Sequence, residues 1–173
     1  MDRLAYRDRA ALPMLGTTRP RGPLLLDTNV FLNALTGRGP RVLQTLLANL
    51  PQSFVSAPTV AELSWTRGRL DPDHPQTAKV LGVIDETLSR IDPAKVLTPS
   101  AEQWQVAGER AGAAVRALAG GTRSFKIAAE RHEMLNDALT AVVASDAAVG
   151  VVTQDADFDL FMQIDPGLNV LFY

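Results

Sequence analysis

Short apolar runs alternate along this chain with longer segments whose apolar residues recur at helical spacing. The first run, Leu24-Leu25-Leu26, reads as a strand. Asp27-Thr28-Asn29 then opens a helix with Val30, Phe31, Ala34 and Leu35 at helical spacing, and Gly37-Arg38-Gly39-Pro40 stops it. A second helix runs from Arg41 to about Leu50, before Pro51. Ser53 to Ser56 is a short strand, and Pro58 suits the start of the helix that carries Val60, Leu63 and Trp65. After the loop 71–75, residues 76–90 place Val80, Leu81, Ile84 and Leu88 on one helical face. Lys95-Val96-Leu97 is a strand, and Ser100 with Gln103 forms a capping box before a helix to about Leu118. Gly120-Gly121 breaks that helix, and the stretch 122–135 reads as a helical turn and a loop. Asn136 or Asp137 is expected to cap an Ala-rich helix to about Ala147. Val149 to Thr153 and Leu168 to Phe172 are the last two strands.

Strands that alternate with helices imply an α/β fold, with a parallel sheet covered on both faces. Crossovers between parallel strands are right-handed, and ligands bind at the carboxyl ends of the strands, where the strand order reverses. With strands numbered along the chain, the order 3-2-1-4-5 puts the first and fourth strands at that switch point. Residues 1–22 contain Pro13, Gly16, Pro20 and Gly22 and read as an arm outside the main fold, with a short helix around Tyr6 to Leu12. The expected division is an arm at 1–22 and one domain at 23–173.

Four acidic residues then fall at one edge of that sheet. Asp27 ends the first strand, and Asp155 follows the fourth. Glu62 lies in the first turns of the helix leaving the second strand, and Asp137 opens the helix that runs back into the fourth. Each has an ordinary explanation alone: a cap, a surface residue or a turn. Together they repel one another, and burial of such a group costs several kcal/mol without compensation. A divalent cation is the natural compensation, and carboxylates suit hard cations.

Composition narrows the alternatives. The 173 residues suit one domain, long enough to bury roughly 70% of its unfolded surface. The absence of Cys removes disulfides, Cys nucleophiles and Cys-zinc sites, and it fits a reducing cytoplasm. No apolar stretch is as long as a membrane span, and Arg3, Arg7 and Arg9 are followed by no apolar signal segment, so neither a membrane nor secretion is expected. The net charge of −2 hides a gradient: five Arg occupy residues 1–22, whereas no Lys or Arg follows Arg131. Arg38, Arg41, Arg67 and Arg69 are candidates for a basic patch. Asp155-x-Asp157-x-Asp159 starts like a calcium loop, but Leu160 holds the required Gly position and Pro166 the closing Glu position. His74 and His132 have no partner at zinc-ligand spacing, and there is no Walker A loop or nucleophile elbow. Trp65 and Trp104 read as core or interface residues.

The ordered segments Leu24-Leu25-Leu26-Asp27-Thr28-Asn29, Ser56-Ala57-Pro58-Thr59-Val60-Ala61-Glu62-Leu63, Asn136-Asp137-Ala138-Leu139-Thr140-Ala141 and Val152-Thr153-Gln154-Asp155-Ala156-Asp157-Phe158 resemble those of the PIN-domain ribonucleases, in particular the VapC-like toxins of toxin–antitoxin pairs. No single segment is specific, but the set in this order is. The resemblance implies a three-layer α/β/α sandwich with a parallel sheet of about five strands. It implies Mg²⁺- or Mn²⁺-dependent cleavage of RNA, with Asp27, Glu62, Asp137 and Asp155 as the catalytic, metal-holding set. Asp157 and Asp159 are then extra ligands, and Asn29 and Thr153 support the set. An antitoxin protein and a homodimer are the implied partners. The arm at 1–22 and the long regions 66–95 and 119–135 depart from compact members. A PIN nuclease of housekeeping RNA processing, or a non-catalytic PIN-like RNA- or protein-binding module, is the alternative.

Overall fold

The computed structural model describes residues 4–20, 22–49, 52–118 and 128–173. Five strands form: β1 (Leu24–Leu26), β2 (Val55–Ser56), β3 (Val96–Leu97), β4 (Gly150–Thr153) and β5 (Val170–Phe172). The helices are α1 (Thr28–Thr36), α2 (Arg41–Ala48), α3 (Ala57–Gly68), α4 (Thr77–Arg90), α5 (Ala101–Leu118), α6 (Ala128–Asp146) and α7 (Asp157–Ile164). All strand pairs are parallel, in a three-stranded unit β1-β4-β5 and a two-stranded unit β2-β3. Phe54, just before β2, joins the units: its N–H donates to Leu24 O (2.7 Å) and its carbonyl accepts from Leu26 N–H (2.9 Å). The order across the sheet is therefore β3-β2-β1-β4-β5, the expected one.

Successive strand residues point to opposite faces, and this divides the core in two. Leu25 pairs in register with Val151, and both face a cluster with Ala107, Leu139, Phe158 and Phe161 from α5, α6 and α7. Leu26 pairs with Val152, and both face Val30, Phe31, Leu43 and Leu63 from α1, α2 and α3. The result is a three-layer α/β/α sandwich. Burying the side chains of both clusters drives the fold, at about 25 cal/mol per Å² of apolar surface removed from water.

Local signals set several boundaries. Gly37 ends α1 in the left-handed conformation, φ 68°. The Ser100–Gln103 capping box is formed, with bonds of 2.8 and 3.2 Å. Two expectations need correction. Asp137 is not a cap: α6 begins at Ala128, because Glu133, Met134 and Leu135 are good helix formers that continue it toward the N-terminus. The turn expected within 122–135 lies partly outside the described residues, and 128–135 is helical. Helix α7 was not foreseen, since Asp155 reads as a turn residue and Asp155-x-Asp157-x-Asp159 as a loop-like acidic run; its apolar Phe158, Leu160 and Phe161 are fully buried.

The N-terminal stretch lies against the domain. In place of the expected helix there is one 3₁₀ turn, Arg9–Ala11, capped by the Asp8 carboxylate. Leu12 is buried in the core cluster of α5–α7. Leu15 N–H donates to Phe172 O (2.7 Å) and Phe172 N–H to Pro13 O (2.8 Å), so these residues cover the outer edge of β5.

Candidate metal centre

The site lies where the expected strand order places it, at the carboxyl ends of β1 and β4. Asp27 leaves β1 in extended conformation and caps α1, accepting the Thr28 N–H at 2.7 Å on Oδ1. Its Oδ2 accepts the Thr153 hydroxyl at 2.7 Å and the Asn29 amide at 3.4 Å. The cap and the candidate ligand are thus the same side chain. Only 4% of Asp27 is exposed. Burial is the main cause that pushes its pKa up, to about 6; the Thr153 and Thr28 bonds oppose this, and the charges of Glu62 and Asp155 add to it.

Glu62 comes from the second turn of α3. Ser56 caps that helix by accepting the Thr59 N–H (3.2 Å), and its hydroxyl also meets Thr140 of α6 at 2.9 Å. This buried bond ties α3 to α6. Glu62 Oε1 then accepts from Asn136 Nδ2 at 2.7 Å, and Oε2 accepts the Thr28 hydroxyl.

Asp137 sits midway along α6 yet reaches the same edge. Half of this helix, at about 1.5 Å per residue, spans about the length of the four-residue strand β4 at about 3.3 Å per residue. The midpoint of α6 is therefore level with the end of β4, and its N-terminal half overhangs the sheet. Burial holds the Asp137 carboxyl well above its usual range, reinforced by the charges of Asp27, Asp155, Asp157 and Glu62.

Beyond β4, Asp155 N–H donates to Thr153 Oγ1 (2.9 Å), and Asp155 Oδ1 accepts the Asp157 N–H (2.9 Å). Asp157 stands on the first turn of α7 and accepts the hydroxyl of Tyr6. Burial shifts Asp157 upward, the Tyr6 bond pulls it back, and Asp155 adds to the rise. Asp137, Asp155 and Asp157 each have a carboxylate oxygen within 4.8 Å of the others, an arrangement able to hold a metal ion. Asp27 and Glu62 line the same cleft of roughly 790 Å³.

Asp159, the other candidate from α7, turns away. It is 1% exposed and binds the Arg7 guanidinium (2.6 Å) and Arg7 N–H (2.7 Å), which leaves it no part in the cleft. Thr28, Asn136 and Tyr6 hold site carboxylates, a role that no pattern in the sequence reveals. Trp65, expected in the core or at an interface, is not a core residue: it is 62% exposed and lines the cleft, with the Arg69 guanidinium 4.5 Å from its ring centroid. Trp104 is also exposed, at 50%. Of the candidate basic patch, Arg67 pairs with Asp85. No Lys or Arg is among the described residues that line the cleft.

A three-layer α/β/α domain with clustered carboxylates at the carboxyl edge of its parallel sheet has counterparts. The PIN domain family matches residues 24–161, most of the chain, and the protein belongs to that family. No curated protein matches it in sequence. In structure it is similar to VapBC2 from Rickettsia felis, bound to a DNA fragment from their promoter, with a TM-score of 0.56, 19% identity and coverage of 88% of this chain and 99% of that one. FitAcB from Neisseria gonorrhoeae gives a TM-score of 0.57, 22% identity and coverage of 86% and 96%. VapBC-5 from Mycobacterium tuberculosis, a member of the VapBC family of toxin-antitoxin systems, gives 0.52, 19%, 88% and 100%. At these identities the shared property is the fold.

Proposed function

We propose that the protein is a divalent-metal-dependent endoribonuclease that acts as the toxin of a toxin–antitoxin pair. One observation carries the enzymatic part: six carboxylates, those of Asp27, Glu62, Glu133, Asp137, Asp155 and Asp157, line one cleft, and among its described lining residues no Lys or Arg offsets them. A bare cleft of this kind repels a phosphodiester, so substrate and site coexist only with a cation between them. The donor set fits Mg²⁺ or Mn²⁺, which prefer oxygen ligands. Asp137, Asp155 and Asp157 would hold the ion, with Asp27 and Glu62 beside them.

When bound, such an ion lowers the pKa of a coordinated water and offsets charge on the scissile phosphate. The chain's own groups prepare for this. Thr153 and the Thr28 N–H fix both oxygens of Asp27, and Asn136 and the Thr28 hydroxyl fix those of Glu62. The carboxylates are thus preorganised before an ion arrives. Trp65 offers an exposed ring at the cleft on which an unpaired base can stack. The toxin part rests on the structural neighbours, several of which are VapBC or FitAB assemblies. A cognate antitoxin and a second copy of this chain are the proposed partners, with the cytoplasm as the place of action. No helix of the described residues is long and apolar enough to cross a membrane.

The test is RNA cleavage by purified protein in Mg²⁺ or Mn²⁺ against EDTA, alongside thermal melts. Cleavage that EDTA abolishes, with a melting temperature raised by Mn²⁺, is the expected result. At a hundredfold excess over its dissociation constant, an ion stabilises by about 2.7 kcal/mol. Folded protein that leaves RNA intact in either metal overturns the proposal.

A further inference from the structure

Residues 5 to 7 are fastened to α7 one after another. Gln163 donates to the Ala5 carbonyl at 2.9 Å, Tyr6 donates to the Asp157 carboxylate, and Arg7 binds Asp159 through both its backbone and its side chain. A second anchor follows at Pro13 and Leu15, on the edge of β5. The stretch between is held at both ends, and all of it precedes the residues that match the family, 24–161.

The three contacts on α7 differ in kind. Arg7 neutralises a buried acid, and Gln163 bridges Ala5 O and the Asp159 carboxylate (3.2 Å). Both are fastenings. Tyr6 is 46% exposed, and the bonds that fasten the arm through Ala5, Arg7, Pro13 and Leu15 do not involve its hydroxyl. That hydroxyl is spent on Asp157, one of the three carboxylates with closely spaced oxygens. The bond occupies Oδ1 and restricts the rotation of the carboxylate, leaving Oδ2 for a cation. Groups that orient a ligand in this way typically tune metal affinity 10–100-fold.

We propose that Tyr6 is a positioning residue of the metal centre, delivered from the N-terminal arm by the Arg7–Asp159 ion pair. This rests on the metal-dependent reading above. The arm then does two things. It seals the β5 edge, and it supplies the hydroxyl bond to the Asp157 carboxylate, a residue whose bond to Asp155 is made by its backbone N–H.

The experiment uses the full chain as wild type, Tyr6→Phe, Arg7→Ala and the double variant. Melts in EDTA report the metal-free fold, and Mn²⁺ titrations report affinity without reference to turnover. Tyr6→Phe should melt with wild type in EDTA and bind Mn²⁺ at least about 10-fold more weakly. Arg7→Ala should weaken Mn²⁺ similarly, and the double variant should add little, since both remove the same bond. Wild-type affinity in Tyr6→Phe, or tighter binding, overturns the positioning role while leaving the metal centre intact. Losses that add fully in the double variant overturn delivery through Arg7. Wild type that ignores Mn²⁺ overturns the underlying reading, and this proposal with it.

Discussion

On the outer side of α7 the acids are matched; on its cleft side they are not. Asp159 meets Arg7, and Asp165, just past the helix, meets Arg110 at 2.9 Å. Burial pushes Asp165 up, but bonds from Ser145, the Gly167 N–H and Arg110 outweigh it, and its pKa falls. Across the same helix, the partner of the Asp157 carboxylate among the described residues is the Tyr6 phenol, and Asp27 and Asp137 are both shifted upward. Among the described residues, cations stand beside Asp159 and Asp165, and none lines the cleft. Acids left without a cation of the chain's own are the ones poised for a cation from solution. Each prediction below acts on one side of this divide.

The largest effect is expected on the unmatched side. Asp27→Asn and Asp137→Asn should each lower RNA cleavage by more than about 100-fold, the upper range for groups that merely support a ligand. Neither should lower the melting temperature in EDTA, because each removes a buried charge from a repelling set. Near-wild-type cleavage at matched Mg²⁺ would contradict the assignment.

Acidity should expose the same repulsion. Folding raises the Asp27 pKa from 3.8 to about 6, so the folded protein binds this proton more tightly than the unfolded chain. The stabilising effect of that proton is fully present below pH 3.8 and is lost as the pH rises through about 6. At about 1.4 kcal/mol per pKa unit, the loss is about 3 kcal/mol. Urea melts in EDTA at pH 4.5 and pH 7.5 should therefore show Asp27→Asn gaining on wild type at the higher pH. A difference between the two proteins that does not change with pH would show that Asp27 is not strained in this way.

The matched side should behave oppositely. Arg7→Ala leaves Asp159 buried with one charged partner fewer, at a cost of about 1–3 kcal/mol. The lower half of that range is expected, because Arg7 is 41% exposed. The melting temperature in EDTA should fall by a few degrees. A variant as stable as wild type would remove the contrast between the two sides of α7.

Why one side was legible and the other was not follows from sequence distance. Asp27 and Asp155 could be read because each ends a strand, and parallel strands bring their ends to one edge. Glu62 followed from the helix after β2. Asp137 was assigned to the right edge by the wrong route, as a cap, although it lies midway along α6. The contacts that orient these acids have no local pattern. Asn136 is 74 residues from Glu62, and Tyr6 is 151 from Asp157. The pairing of Arg7 with Asp159 spans 152 residues, so nothing in the acidic run 155–159 reveals which Asp turns outward. Trp65 misleads for another reason. Of α3, Pro58, Thr59 and Leu63 are buried, whereas Trp65, seven residues after Pro58 and so on nearly the same stripe of the helix, is exposed and lines the cleft.

That tryptophan gives the smallest expected effect. An exposed ring costs little to remove from the fold, so Trp65→Ala should melt with wild type. Its contribution should appear only with RNA present. Stacking of a base on an aromatic side chain is worth about 1–3 kcal/mol, and the low end is expected for a ring this open to water. About 1 kcal/mol corresponds to roughly a fivefold rise in KM with kcat unchanged. Trp65→Phe, which keeps a ring, should recover most of it. Arg69, stacked on the indole, should behave differently: Arg69→Ala removes a charge as well, so its effect on KM should shrink as salt is raised, whereas that of Trp65→Ala should not. A drop in stability for Trp65→Ala would mean the residue packs against part of the protein, and a KM unmoved by its loss would mean that RNA does not stack on this ring.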